Sequence, residues 1–89
     1  MQFEFDEAKR AANYAKHEVD FLLGARALLD PQRLEWVDGR YDYREERWVC
    51  IGAFAGRHYV LVYTLRGDVV RIISARKANE REEAKYRAV

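Results

Sequence analysis

The hydrophobic pattern of the chain changes its period near Asp30 and Pro31, and this change decides the class of fold. Before it, apolar and small residues recur at three- and four-residue spacing, which is typical of amphipathic helices. After it, β-branched and aromatic residues form short runs separated by turn residues, which is typical of strands. The pattern predicts helices first and a sheet afterwards, with one short strand at the start.

The first part of the chain predicts a strand followed by two helices. Phe3 and Phe5 alternate with polar residues, as in a short strand. Asp6 is a good N-cap for a helix that continues to Lys16, because its carboxylate can accept a hydrogen bond from the first turn. Asp20 is a second N-cap, and the helix that it begins is expected to stop at 30–31, where Asp precedes Pro.

The second part predicts four strands and a final helix. The strands are expected at residues 34–38, 47–54, 58–65 and 69–75. Their short connections favour antiparallel pairing, because parallel neighbours need long crossovers. Asn79 and Glu82 form a capping-box pattern that begins the last helix. The predicted fold is α+β, in the order β-α-α-β-β-β-β-α, with the helices packed on an antiparallel sheet in a single domain over residues 1–89.

Charge and cysteine content limit the possible functions. The net charge is only +1, but residues 66–89 carry seven basic and four acidic side chains. This bias suits either a polyanion site or a solvated helix. Cys50 is the single cysteine and lies in an apolar run, which indicates a buried, inert thiol in a reducing compartment. The acidic start and the short apolar runs favour a cytoplasmic protein with no membrane partner.

No metal or cofactor is expected from the sequence. The two histidines, His17 and His58, and Cys50 lack metal-ligand spacing. No glycine-rich phosphate loop is present in the sequence either.

Two separated motifs resemble those of the BrnT family, which is also called DUF497. The N-terminal motif consists of Phe5, Asp6, Lys9, Asn13, Lys16 and His17. The C-terminal motif consists of Arg47, Gly52, Arg66, Arg71, Ser74, Arg76, Lys77, Ala78, Glu82 and Tyr86. One departure is Glu18, where the family usually has a glycine that would suit a left-handed helix end, so we expect a different or slightly strained turn.

The resemblance implies a fold and a function. The fold would be similar to that of the RelE/ParE toxins. The protein would be the toxin of a type II toxin–antitoxin system, a metal-independent endoribonuclease that inhibits translation and growth. Its partners would be RNA and a cognate BrnA-like antitoxin of the ribbon-helix-helix type, and operator DNA would be reached only through that antitoxin. The alternative is an inactive toxin relative that only binds protein; scattering of Arg66, Arg76 and a titratable group, rather than convergence in one cleft, would favour it.

RNA cleavage without a metal needs a base, an acid and cations that stabilise the extra charge on phosphorus. Arg66 and Arg76 are candidate catalytic residues at the ends of neighbouring strands, although Arg76 is alternatively a residue that pairs with a carboxylate. In a regular strand, Arg76 would share the core-facing row of Val70 and Ile72, and Arg71 would lie on the opposite face.

The remaining candidates come from the helices and strand ends. His17 and Tyr86 are candidate catalytic acids or bases; His17 is alternatively a helix-end residue, and Tyr86 alternatively packs the last helix on the sheet. Lys9, Arg47 and Lys77 are candidate RNA or phosphate contacts, and Lys9 shares a helix face with Lys16. Each lysine of that pair is alternatively a solvated surface residue.

Overall fold

The computed structural model describes residues 1–39 and 44–88. Its elements are β1 (Gln2–Glu4), α1 (Glu7–His17), α2 (Phe21–Gly24), a 3₁₀ helix (Ala25–Leu29), β2 (Leu34–Val37), β3 (Trp48–Phe54), β4 (Arg57–Arg66), β5 (Val69–Lys77) and α3 (Glu80–Arg87). The predicted α+β class is confirmed. The second predicted helix is α-helical for only four residues and continues in the tighter 3₁₀ winding.

The helix caps that the sequence predicts are present in the structure. The Asp6 side chain accepts a hydrogen bond from the backbone N–H of Lys9, and the Asp20 side chain accepts one from Leu22. Both halves of the capping box between Asn79 and Glu82 are present. Glu18 takes the left-handed conformation, with φ 58°, so the turn keeps the shape that suits glycine, with the strain that a side chain adds there.

The sheet has the strand order β1-β5-β4-β3-β2 and is mixed, which corrects the expected antiparallel sheet. β2 to β5 pair antiparallel, but β1 pairs parallel with β5, through Gln2 to Glu4 opposite Val69 to Arg71. Short connections constrain only consecutive strands. β1 and β5 are separated by the rest of the fold, so the gap lengths carry no information about their direction.

A β-bulge in β5 overturns the expected orientation of Arg76. Val62 pairs with Ser74 and Tyr63 pairs with Ile72, so Ile73 is an extra residue in β5. An extra residue inverts the side-chain alternation beyond it. Arg76 therefore lies on the face opposite to Val70 and Ile72, and it shares that face with Arg71.

The two faces of the sheet differ in what covers them. The core face packs against α2 and the 3₁₀ helix and contains the main cluster, including Phe21, Cys50, Leu61, Ile72 and Ala75. The other face, called here the α3 face, has a smaller cluster of Val49, Ile51 and Val60, against which Leu34, Trp36, Val62, Ala78 and Tyr86 pack. Cys50 is fully buried, and burial raises the pKa of its thiol to about 12, as expected for an inert cysteine.

In the part of the chain that the structure describes, the helices are too short or too polar to cross a membrane.

Candidate active site

Arg76 lies on the α3 face and forms a two-bond ion pair with Glu82 of α3. Its Nη1 and Nη2 atoms donate to the two carboxylate oxygens of Glu82, each at 2.7 Å. The hydrogen bonds from Arg76 hold the pKa of Glu82 below its ordinary value, so the pair is ionic at neutral pH. About a third of the Arg76 side chain stays exposed (36%). The guanidinium is thus fixed by a carboxylate at a place that solvent reaches.

A shallow cavity of about 210 Å³ adjoins this ion pair. Its walls are Trp36, Val49, Val60 and Val62, and Arg76 and Glu82 line its polar side. The ammonium of Lys85 lies 4.1 Å from the centre of the Trp36 ring. The cavity therefore combines an apolar, aromatic wall with a cation, which suits a planar ring joined to an anion.

Tyr86 connects α3 to the turn before β2. Its hydroxyl donates to Oδ2 of Asp30 at 2.5 Å, and Asp30 also accepts from the backbone N–H groups of Gln32 and Ala53. Burial raises the pKa of Asp30, but these three hydrogen bonds outweigh it and the net shift is downward. The pKa of Tyr86 is raised because its proton is donated to a carboxylate.

His58 is the histidine of this site. Its ring meets the Tyr86 ring edge to face, with centroids 4.7 Å apart. His58 lies on the same face of β4 as Val60, whose partner in β5 is Arg76. Diagonal neighbours in a sheet lie roughly 7–8 Å apart, with their Cβ atoms somewhat closer, so His58 and Arg76 can contact one small group between them. The structure thus brings together Arg76, Tyr86 and His58.

Arg66 lies on the α3 face but at the far end of β4. Arg76 is opposite Val60, and the six residues from Val60 to Arg66 span about 20 Å. There Arg66 lies 4.0 Å from Glu4 and 3.6 Å from Glu45, and Arg71 also pairs with Glu4. Arg66 and Arg76 therefore do not meet at one phosphate.

His17 and Lys9 lie together in a different groove, between α1 and β5. This groove has a volume of about 280 Å³, and Lys16, Asn13, Ile73 and Ser74 also line it. Ser74 and Arg76 lie on the same face of β5, two residues apart, so the groove adjoins the site of Arg76 across the sheet edge.

Arg47 and Lys77 lie at strand ends. Arg47 is half-buried just before β3, and its carbonyl accepts a hydrogen bond from the backbone N–H of Asp38 at 2.7 Å. Lys77 is the last residue of β5, is exposed, and accepts a hydrogen bond from Arg76 on its carbonyl. Lys77 is thus next to the Arg76 site, and Arg47 is not among the residues that line its cavity.

Sequence reasoning missed two members of the site, His58 and Asp30. The sequence did contain an indication for His58. Side chains alternate along β4, so His58 lies on the same face of the sheet as Val60 and Val62. Asp30 follows the 3₁₀ helix directly and precedes Pro31. The end of a helix was a sufficient explanation for Asp30 at this position, so nothing in the sequence indicated that Asp30 belongs to the site. Its contact with Tyr86 joins residues 56 positions apart, which local patterns do not reveal.

Among residues 1–39 and 44–88, no three His, Cys, Asp or Glu side chains are grouped so as to hold a metal ion.

Comparison with known proteins supports the resemblance between the two motifs and the toxin family. Residues 5–82 match the family model described as "Ribonuclease toxin, BrnT, of type II toxin-antitoxin system". A search of curated proteins gives no match. The family match covers the N-terminal motif, every residue of the C-terminal motif except Tyr86, and most of the chain. The chain therefore belongs to the BrnT family of ribonuclease toxins of type II toxin–antitoxin systems.

Proposed function

We propose that this toxin is an endoribonuclease that cleaves RNA without a metal ion and thereby inhibits translation and growth in the cytoplasm. The observation that carries the proposal is the ion pair of Arg76 with Glu82, beside His58 and Tyr86. Arginine holds a phosphate through the same two parallel N–H donors with which Arg76 holds a carboxylate. Glu82 thus occupies the place where two phosphate oxygens would bind.

The reaction would be attack of a ribose 2′-oxygen on the adjacent phosphorus. The new bond joins the 2′-oxygen to phosphorus, and the bond from phosphorus to the 5′-oxygen breaks. A base removes the 2′-hydroxyl proton, and the leaving 5′-oxygen takes up a proton. The products are a 2′,3′-cyclic phosphate and a 5′-hydroxyl, with the extra negative charge of the transition state stabilised by Arg76.

His58 is suited to the proton transfers, because a neutral imidazole has one nitrogen that donates a proton and one that accepts it, and the ring lies next to Arg76 on the sheet face. Tyr86 is not suited to act as the base, since its pKa is raised and its phenol stays protonated at neutral pH. Its proton is shared with Asp30, so Tyr86 acts as a donor or orients the His58 ring. His17 remains a second titratable candidate in the neighbouring groove.

Trp36 gives the cavity a preference for unpaired bases. Its ring lines the space next to Arg76, and stacking on an aromatic side chain requires a base that is free of its helix. We propose single-stranded RNA as the substrate, with Lys77 near the scissile phosphate. Arg66 and Arg47 would contact more distant parts of the strand.

The partner proposed for the toxin is a BrnA-like antitoxin of the ribbon-helix-helix type, which would cover the cationic cleft in a two-to-two complex and carry the DNA-binding function. The family supports a protein antitoxin in general. A fold similar to that of the RelE/ParE toxins is part of the same proposal. Co-purification of the toxin with the product of a neighbouring reading frame tests the pairing.

One observation favours the alternative of an inactive protein-binding relative. Scattering of Arg66 and Arg76 was the feature that would favour this alternative, and the two residues lie about 20 Å apart along the strands. Convergence of Arg76 with His58 and Tyr86 instead supports the enzyme. The two functions differ in a single measurement, which is cleavage of RNA by the isolated toxin.

The test is RNA cleavage in the presence of EDTA by the wild type and by Arg76→Ala. We expect the wild type to cleave and Arg76→Ala to be slower by roughly 10²–10³-fold, which is the usual effect of losing one preorganised charge stabiliser. Arg87→Ala is the matched control, because it also removes a guanidinium paired with a glutamate of α3. Circular dichroism must show that both variants are folded.

Two results would contradict the proposal. A folded Arg76→Ala variant that cleaves RNA and arrests growth like the wild type removes Arg76 from the site. A folded wild type that cleaves no RNA, alone or with ribosomes, favours the protein-binding alternative.

A further inference from the structure

The groove between α1 and β5 exists because β1 covers only part of the β5 edge. β1 pairs with Val69 to Arg71, and beyond that point α1 lies along the edge in its place. The Asn13 amide hydrogen-bonds to both the N–H and the C=O of Ala75, as a neighbouring strand would. The bulged Ile73 and the adjacent Ser74 form one wall of the groove, and Lys9, Lys16 and His17 form the other.

The two lysines of the groove differ from the arginines of the α3 face in their pairing. Arg66, Arg71 and Arg76 each lie within 4.0 Å of a glutamate oxygen. Within residues 1–39 and 44–88, Lys9 and Lys16 have no such carboxylate partner. The groove therefore presents two positive charges that an anion can bind without displacing a carboxylate.

The spacing of these charges fits a nucleic acid strand that continues from Arg76. Lys9 and Lys16 are seven residues apart on one helix face, which is about 10.5 Å along the axis. A stacked strand rises about 3.4 Å per nucleotide, so the lysines span roughly three nucleotides. Ser74 lies in the groove and about 7 Å along β5 from Arg76, on the same face.

We infer that the groove between α1 and β5 is a second RNA subsite, in which Lys9 and Lys16 bind backbone phosphates next to the one held by Arg76. This inference rests on the proposed ribonuclease function and adds the path of the substrate: a single strand crosses the β5 edge at Ser74 and follows α1. The Asn13 amide that lines the subsite already bonds to Val19 and Ala75, so it does not read a base, and the two lysines bind the backbone.

The test measures binding of 2′-O-methyl RNA, which lacks the attacking hydroxyl and is not cleaved. Fluorescence anisotropy gives the dissociation constants of a 12-nucleotide and a 3-nucleotide strand as a function of salt. Each phosphate contact in a single strand contributes about 0.7 to the slope of log K against log salt. We expect Lys9→Ala with Lys16→Ala to reduce that slope by about 1.4 for the long strand, and by no more than that for the 3-nucleotide strand, which is too short to contact the groove and Arg76 together.

The matched control is Arg57→Ala with Arg81→Ala, which lowers the net charge equally at two exposed positions outside the groove. Lys9→Gln with Lys16→Gln serves as a second double variant, should the alanine pair alter helix stability. Equal slopes for the wild type and the folded lysine variants overturn the subsite, and so does an equal loss in the arginine control.

Failure of the subsite can be distinguished from failure of the proposed function. If the wild type cleaves RNA and Arg76→Ala does not, unchanged slopes in the lysine variants reject the subsite alone. If the wild type neither binds the long strand nor cleaves RNA, both proposals are rejected.

Discussion

Asn13 joins α1 to the edge of the sheet through its side-chain amide, so its substitution should clearly weaken the packing of α1 on the sheet. Its Nδ2 atom donates to the carbonyl oxygens of Ala75, at 2.8 Å, and Val19, at 3.0 Å. Its Oδ1 atom accepts from the backbone N–H of Ala75 at 3.2 Å. Ala75 is fully buried, so Asn13→Ala removes three hydrogen bonds and leaves two backbone groups of β5 without these partners.

The magnitude follows from these three bonds. A net contribution of about 0.5–1.5 kcal/mol for each gives roughly 1.5–4.5 kcal/mol. Alanine has a higher helix propensity than asparagine, which offsets about 0.5 kcal/mol of this loss of stability. We therefore expect Asn13→Ala to lower the free energy of unfolding by about 2.5 kcal/mol. In a domain of this size that corresponds to a decrease in Tm of roughly 10–20 °C.

Urea unfolding followed by circular dichroism measures the loss. The control is Tyr14→Ala, at the next position of α1, whose exposed side chain should change stability by less than about 0.5 kcal/mol. Asn13→Asp keeps the acceptor for Ala75 but turns a carboxylate oxygen towards two carbonyl oxygens, so it should be at least as unstable at neutral pH. If Asn13→Ala were as stable as Tyr14→Ala, the amide would not replace a strand at this edge.

Two further substitutions should change stability in opposite directions. Gly52→Ala places a Cβ 2.3 Å from the carbonyl oxygen of Ala27, and this backbone atom must move to make room. We therefore expect the free energy of unfolding, measured with urea, to decrease by about 1–3 kcal/mol or more. Gly39→Ala, with open space around it, is the control, and equal stability of the two variants would disprove the close contact. Glu18→Gly relieves a left-handed conformation and should raise the free energy of unfolding by about 0.5–1 kcal/mol; a decrease in the urea midpoint would contradict this strain.

Local signals predicted most of the elements, because they depend on neighbouring residues. Asp6 and Asp20 cap helices through their own backbone neighbours, and Asn79 with Glu82 caps α3, so the sequence is sufficient to place them. The parallel pair of β1 and β5 depends on strands from opposite ends of the chain. The lengths of the connections between consecutive strands do not predict that these two strands pair, or in which direction.

The bulge at Ile73 limited the prediction of the site more than any other feature. Alternation along β5 placed Arg76 among core residues, and one extra residue moves it to the α3 face. The position of Arg76 at the end of a strand was predictable, but its neighbours were not. His58 and Asp30 join the site only because α3 folds back and Tyr86 contacts both.

Glu82 makes two contacts in this arrangement, and the second bears on the proposed reaction. It accepts a hydrogen bond from the Asn79 backbone within the capping box while it binds Arg76. When a phosphate replaces it on Arg76, the Glu82 carboxylate keeps its Asn79 donor and the N-terminal end of α3, where negative charge is favoured. A carboxylate and a ground-state phosphodiester carry the same single charge, so the exchange changes little at first. In the proposed reaction the transition state carries additional negative charge, so Arg76 would bind it more strongly than either anion. The exchange would then be most favourable as the 2′-oxygen bonds to phosphorus, which is the differential stabilisation that the proposed catalysis requires.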